Sequence, residues 1–247
     1  MANVEIQNYV INLLNLLNLS IVKTQNILIS SRHIELFWGA SNNDPVLRNL
    51  FYIYFENKIL KLIIVEGEDA IAKITKIKTQ TRMRYIRTLI LNCFHAPRDH
   101  HEYNRHMKAL VEDINVSEIN ENTKIDLSHI ENICKFSRLC EIDYYECAVE
   151  IANSDFSYLQ PYEKKLNGEK YLLYLHKASV KKYKILYIAA AIYEFIPKIK
   201  FSEAYMLCGT AIAKNKALLM CSNNEQEVHM SYKTLLNEGL SVSIESK

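Results

Sequence analysis

Turn-forming residues are scarce in this chain: five Gly and four Pro among 247 residues. Folds of many short strands, and nucleotide sites built on Gly-rich loops, need more residues that reverse the chain or tolerate positive φ. A mainly helical protein is therefore expected. Neither G-x-G-x-x-G nor G-x-x-x-x-G-K-[ST] occurs, so the usual dinucleotide and P-loop readings have no residues to stand on. With 49% apolar and 23% charged residues, the composition is that of a globular protein. The length allows one large domain or two lobes.

The six cysteines (Cys93, Cys134, Cys140, Cys147, Cys208, Cys221) form no C-x-x-C pair, and the N-terminus lacks the pattern of a secretory signal. Reduced, mostly buried thiols in a cytosolic setting are expected. The charge-free stretch from Ile6 to Val22 carries Gln7, Asn8, Asn12, Asn15, Asn18 and Ser20. That is too polar for a bilayer span, so no membrane insertion is expected.

A formal net charge of +2 argues at first sight against a polyanion partner. Resolved along the chain, it is −1 over residues 1–57, +6 over 58–108, −9 over 109–163, +8 over 164–216 and −2 over 217–247. Two basic blocks flank an acidic one. Lys and Arg from separate segments can converge on one face of a fold, although charge blocks also arise as solvated helix faces that cancel in space.

Hydrophobic periodicity predicts a helix near 6–22 with Asn8, Asn12 and Asn15 on a narrow polar stripe. Residues 25–38 fit either an extended segment or a short helix. A second helix is expected from the Asp44–Pro45 start signal through Leu62. The β-branched run AIAKITKIK (70–78) reads as a strand, one arm of a short hairpin. Helices are then expected over 81–94, 102–111, 126–135, 138–152, 168–179, 181–196, 201–220 and 225–238, with an acidic linker at 112–121. In KKYKILYIAAAIYEFIPKIK the lysines precede an apolar helix, where the dipole disfavours cations, which points to a role other than helix stability.

The densest polar cluster is HAPRDHHEYNRHMK, containing His95, His100, His101, Glu102 and His106. His101 and His106 lie about 140° apart around a helix, unlike the two ligands of H-E-x-x-H. Glu102 and His106, at i and i+4, share a face, but two ligands do not make a site. No metal ligand is assigned, no cofactor is expected, and no nucleophile with a neighbouring base stands out, so no catalytic residue is named. Nucleic-acid binding has a better warrant. Between Lys73 and Lys108 the basic residues Lys73, Lys76, Lys78, Arg82, Arg84 and Arg87 are interleaved with Tyr85, and between Lys164 and Lys184 lie Lys165, Lys170, Lys177, Lys181 and Lys182 with Tyr171, Tyr174 and Tyr183. Phosphates require such cations, and unpaired bases stack on such rings.

The order of these features resembles the nucleoproteins of segmented negative-strand bunyaviruses, most nearly the orthobunyavirus and tospovirus groups. The resemblance rests on DPVLRNLFYIYFENKILKLI, AKITKIKT and TRMRYIRTLILNCF in the N-terminal half. In the C-terminal half it rests on KILYIAAAIYEFIPKIKFSEAYMLCGTAIAKNKALLM and EVHMSYKTLLNEGLSV. It spans roughly 110 residues and is one of pattern and order, without a strict motif; the acidic middle block has no counterpart in it. It implies an N-terminal arm (1–30), two helical lobes (31–120 and 121–221) and a C-terminal arm (222–247). It further implies single-stranded genomic RNA in a basic groove between the lobes, and homo-oligomeric rings or filaments joined by the arms. Val10, Leu13, Leu14, Leu17, Leu235, Leu236 and Leu240 would then serve oligomerisation, with Lys73, Lys76, Lys78, Arg82, Arg84 and Arg87 lining one wall of the groove and Lys177, Lys181, Lys182, Tyr183 and Lys184 the other. The viral polymerase would be a further partner, and virion and host-cell cytoplasm the location. Two other readings stay open: a helical protein-interaction or effector protein without RNA binding, and a metal-dependent helical enzyme centred on His101, Glu102 and His106.

Overall fold

The computed structural model describes residues 4–38, 44–85, 94–111, 130, 133–154 and 161–246. The expected acidic linker, Arg87 and most of the helices expected over 81–94 and 126–135 lie outside the described residues. The described chain is 59% helical, with ten α-helices and antiparallel sheets of two and three strands. It divides into one unit formed by 4–85 with 94–111 and a second formed by 130–246.

The first unit runs α1 (Val4–Leu16), β1 (Ser20–Leu28), α2 (Ser31–Phe37), α3 (Pro45–Phe55), β2 (Ile59–Glu66), α4 (Ala70–Tyr85) and α5 (His100–Val111). β1 and β2 form an antiparallel ribbon from Ser20↔Glu66 to Leu28↔Ile59, with a bulge near Val22. Asp44 caps α3 through its side chain, accepting from the Val46 and Leu47 amides, with Pro45 at the first turn as expected. One cluster joins Ile6, Val10 and Leu14 of α1 to Ile77 of α4. A second joins Ile34, Phe37 and Trp38 to Phe51 and Ala109.

The strand expected over 70–78 is instead the first half of α4. Its β-branched residues are accommodated because the hydroxyls of Thr75, Thr79 and Thr81 donate to the carbonyls of Ile71, Thr75 and Ile77 one turn back. Ile77 and Thr81, i and i+4, are the fully buried pair of that helix. The helix expected from Asp44 to Leu62 stops at Phe55, and its tail is β2.

The second unit contains 3₁₀ turns at Ile133–Lys135 and Ser137–Glu141, then α6 (Tyr144–Asn153), β3 (Tyr171–His176), α7 (Lys177–Lys182) and α8 (Ile185–Phe195). α9 (Phe201–Lys214), β4 (Lys216–Ser222), α10 (Glu225–Asn237) and β5 (Val242–Ser246) complete it. β3 lies between β4 and β5, antiparallel to both. The helices expected over 168–179 and 201–220 each contain a helix and a strand, β3 with α7 and α9 with β4. The one expected over 138–152 is a 3₁₀ turn followed by α6. α8 and α9 make the core: Ala189, Ala190, Ala191, Ala204 and Ala211 are fully buried, and so is Tyr205. No helix among the described residues is long and apolar enough to cross a membrane. Cys147 and Cys208 are buried, Cys221 is half-buried and Cys140 is exposed.

At four short connections from helix to strand among the described residues, a residue with left-handed backbone makes the turn. These are Asn18 after α1, Asn57 after α3, Asn215 after α9 and Gly239 after α10. Asparagine tolerates this region better than other residues with a Cβ, and glycine enters it freely. At Gly239 a Cβ would also collide with the Tyr183 hydroxyl.

Candidate functional site

α4 divides the first basic block between two environments. Lys76 and Arg84 are exposed and Lys73 is partly so, whereas Lys78 and Arg82 point to the chain segment before α5. Lys78 Nζ donates to the Ala96 carbonyl at 2.8 Å, and Arg82 Nη2 to the Phe94 carbonyl at 3.3 Å. Burial, reinforced by the charges of Arg82 and Arg98 and opposed by Glu102, holds Lys78 below the usual lysine value. The Arg84 guanidinium lies 4.7 Å over the Tyr9 ring and 5.5 Å from that of Tyr85. Such stacking engages the plane of the group, while its N–H edge is the part that recognises phosphate.

The segment fixed by Lys78 and Arg82 carries His95. Its Nε2 lies 3.4 Å from Nε2 of His106, whose Nε2 is 3.8 Å from Oε1 of Glu102. The three potential ligand atoms all lie within 4.8 Å of one another. The other oxygen of Glu102 accepts the Arg98 backbone N–H at 2.8 Å. Rings close the site on one side: Phe37 is 5.0 Å from His106, and Trp38 is 5.0 Å from His95. Burial, with the charges of His106, Lys78, Arg82 and Arg105, pushes His95 down to about 3, so it is neutral at physiological pH. Burial also lowers His106, against the pull of Glu102. His101, which the sequence grouped with Glu102 and His106, is exposed on α5; the neighbour of that pair is His95. Six residues, Pro97 among them, separate His95 from Glu102, so helical spacing gives no sign of it.

In the second unit the lysines expected to line the groove lie together. Lys177, Lys181 and Lys182 belong to α7, Tyr183 caps it, and Lys184 caps α8. Lys181 and Lys182 therefore occupy a C-terminal turn, where the dipole favours cations. The dipole argument drawn from the sequence survives for Lys184 alone. Tyr183 stacks on Tyr187 with centroids 5.0 Å apart, and Lys182 Nζ is 4.8 Å from the Tyr183 ring centroid. Among the described residues none of Lys177, Lys181, Lys182 and Lys184 pairs with a carboxylate. Lys135, Lys164, Lys200, Lys214 and Lys216 pair with Glu238, Glu203, Glu150, Glu163 and Glu245.

The residues expected to join copies of the chain are largely occupied within it. Val10, Leu14, Leu235 and Leu240 are buried in their own units, Leu13 and Leu17 pack against the α1–α4 cluster, and Leu236 is 47% exposed. Val4, Leu16, Ile21, Val22 and Leu28 are the exposed large apolar residues of the same N-terminal stretch.

No family model matches this chain, and neither the curated proteins nor the solved structures contain a significant match.

Proposed function

We propose that the chain is a nucleoprotein-like protein that coats single-stranded RNA through its sugar-phosphate backbone. The observation that carries this reading is the Lys177–Lys184 segment. Among the described residues, four lysines within eight positions have no carboxylate partner and lie beside a stacked tyrosine pair, in a unit where five other lysines are neutralised. Unneutralised cations beside aromatic rings suit a ligand that brings its own negative charge and flat bases. Lys73, Lys76 and Arg84 offer a second set of cations on α4. In this reading copies of the chain assemble along the RNA, with Val4, Leu16, Ile21, Val22 and Leu28 as the contact residues in place of the buried Val10 and Leu14.

The test is binding of a labelled single-stranded RNA to nuclease-treated protein across a salt series. Affinity is expected to fall steeply with salt. Replacing Lys177, Lys181, Lys182 and Lys184 together by Ala should flatten the log–log slope by up to about 3, at about 0.7 per lost phosphate contact. Absence of binding at low salt, or an unchanged slope in the quadruple variant, overturns the proposal. A monomer indifferent to RNA would favour the protein-interaction reading.

A further inference from the structure

We propose that His95, Glu102 and His106 form a binding site for a zinc-class divalent metal ion, independent of any RNA surface. Four-coordinate zinc with bonds of about 2.0–2.1 Å has ligand atoms about 3.3–3.4 Å apart. The His95–His106 separation of 3.4 Å already matches, and the His106–Glu102 separation of 3.8 Å is slightly wide. The widest pair, no more than 4.8 Å apart, closes by at most about 1.4 Å to reach the same geometry. Two imidazoles and one carboxylate favour zinc or a similar borderline metal over magnesium or calcium, and leave a fourth position for water.

Each ligand is also held from behind, as metal ligands require. Glu102 and His106 sit one turn apart on α5. Glu102 is oriented by the Arg98 amide on Oε2, which leaves Oε1 facing His106. The His106 ring hydrogen-bonds the Phe37 backbone carbonyl. A neutral ring donating there from Nδ1 presents the lone pair of Nε2 to His95 and Glu102. His95 is fixed because the carbonyls on either side of it accept from Arg82 and Lys78. Without a cation, two imidazole nitrogens face each other across a gap that one proton alone can bridge.

The surroundings oppose this site in one identifiable way. Lys78, Arg82, Arg98 and Arg105 bring positive charge to its edge, and Arg105 Nη2 lies 3.7 Å from Glu102 Oε1. A dication therefore binds less tightly than the donor set alone would allow, and removing a neighbouring cation should tighten it. A site that merely stores a hydrogen-bonded histidine pair would show no such gain.

The experiment is calorimetric titration of EDTA-treated full-length protein with zinc chloride, with cobalt(II) as the spectroscopic probe. The expected result is one equivalent bound, with cobalt d–d bands and no thiolate charge-transfer band. H95Q and H106Q should each weaken binding by more than the ten- to hundredfold typical of losing an outer partner. R105Q should tighten it several-fold, and H101Q should change nothing. No zinc binding by the wild-type protein, a thiolate charge-transfer band, or unchanged affinity in folded H95Q overturns the proposal. If the histidine variants fail to fold, the wild-type titration and R105Q still decide: R105Q without tighter binding counts against the site.

Discussion

Among the described residues the first unit buries a carboxylate and an imidazole, whereas the polar side chains buried in the second are hydroxyls alone: Ser179, Ser202, Thr210 and Ser231. In the first, Thr81, Glu102 and His106 are buried with their hydrogen-bonding atoms supplied locally, and Trp38 packs among Phe37, Phe51, Phe55 and His95. In the second, alanines let α8 and α9 approach around Tyr205, and Glu150, Glu163, Glu203, Glu238 and Glu245 pair with lysines. Apolar burial is non-directional and tolerates approximate placement, whereas a buried carboxylate or imidazole must meet its partners at defined distances. The first unit thus gains specific geometry suited to binding a small ligand, and the second gains a stiff support for a charged surface.

The sharpest way to break this contrast is in the second core. Leu173 is fully buried on β3, the central strand. Leu173→Ala should cost about 2–5 kcal/mol, read from the urea midpoint by far-ultraviolet circular dichroism. Trp38, the one tryptophan, lies in the first unit. Its fluorescence midpoint should stay in place if the two units unfold separately; a parallel shift would show them to be one cooperative body.

The matching change in the first unit is polar. Glu35 Oε1 accepts from Arg48 Nε at 3.0 Å and Nη2 at 2.8 Å, and from the Tyr52 hydroxyl, tying α2 to α3. Burial and this carboxylate push the Tyr52 phenol up to about 12. Glu35→Gln should cost about 1–3 kcal/mol and move the Trp38 transition. A cost below the error of the midpoint would show that packing alone holds these helices.

The smallest effect expected is one of pH. Hydrogen bonds from Lys200 and Ser202 hold the Glu150 carboxyl below the ordinary carboxylate value of 4.5. With the folded value the lower one, the unfolded chain takes up the proton first. The contribution is complete above the ordinary value and is lost as pH falls through the folded one. Glu150→Gln should therefore flatten the acid limb of the circular dichroism midpoint below pH 4.5 and leave its neutral value little changed. An equally steep limb would remove Glu150 from the account.

Two helices were legible from their periodicity: α10 matches the expected 225–238, and α8 lies within the expected 181–196, whose first residues belong to α7. Strands were hidden wherever an apolar run continued past a helix. LKLIIV, YLLYL and ALLMC suit a buried helix as well as a strand, and periodicity over so few residues does not separate the two. The missing signal was stereochemical. Asn57 and Asn215 are single asparagines just past the last helical turn, and reading them as left-handed caps would have ended α3 and α9 correctly. In α4 the opposite error arose from β-branched content, which the threonine back-bonds offset. The basic segment 177–184 was legible as a charge block, but not its lack of carboxylate partners, which depends on tertiary placement. His95 lay beyond reach because its partners come from a helix on the far side of Pro97.

The strand order of the second sheet has a consequence for synthesis. β3 is its central strand, yet it is made before both neighbours: β4 begins 40 residues after the end of β3, at Lys216, and β5 begins only at Val242. While the ribosome adds those residues, both hydrogen-bonding edges of Tyr171–His176 have no native strand to pair with. Leu172, Leu173 and Leu175 meanwhile lack the cover that buries them in the finished sheet. A nascent chain of this design depends on chaperone occupancy or rapid elongation through residues 177–246, because a bare apolar strand is a template for pairing with its neighbour on the same polysome.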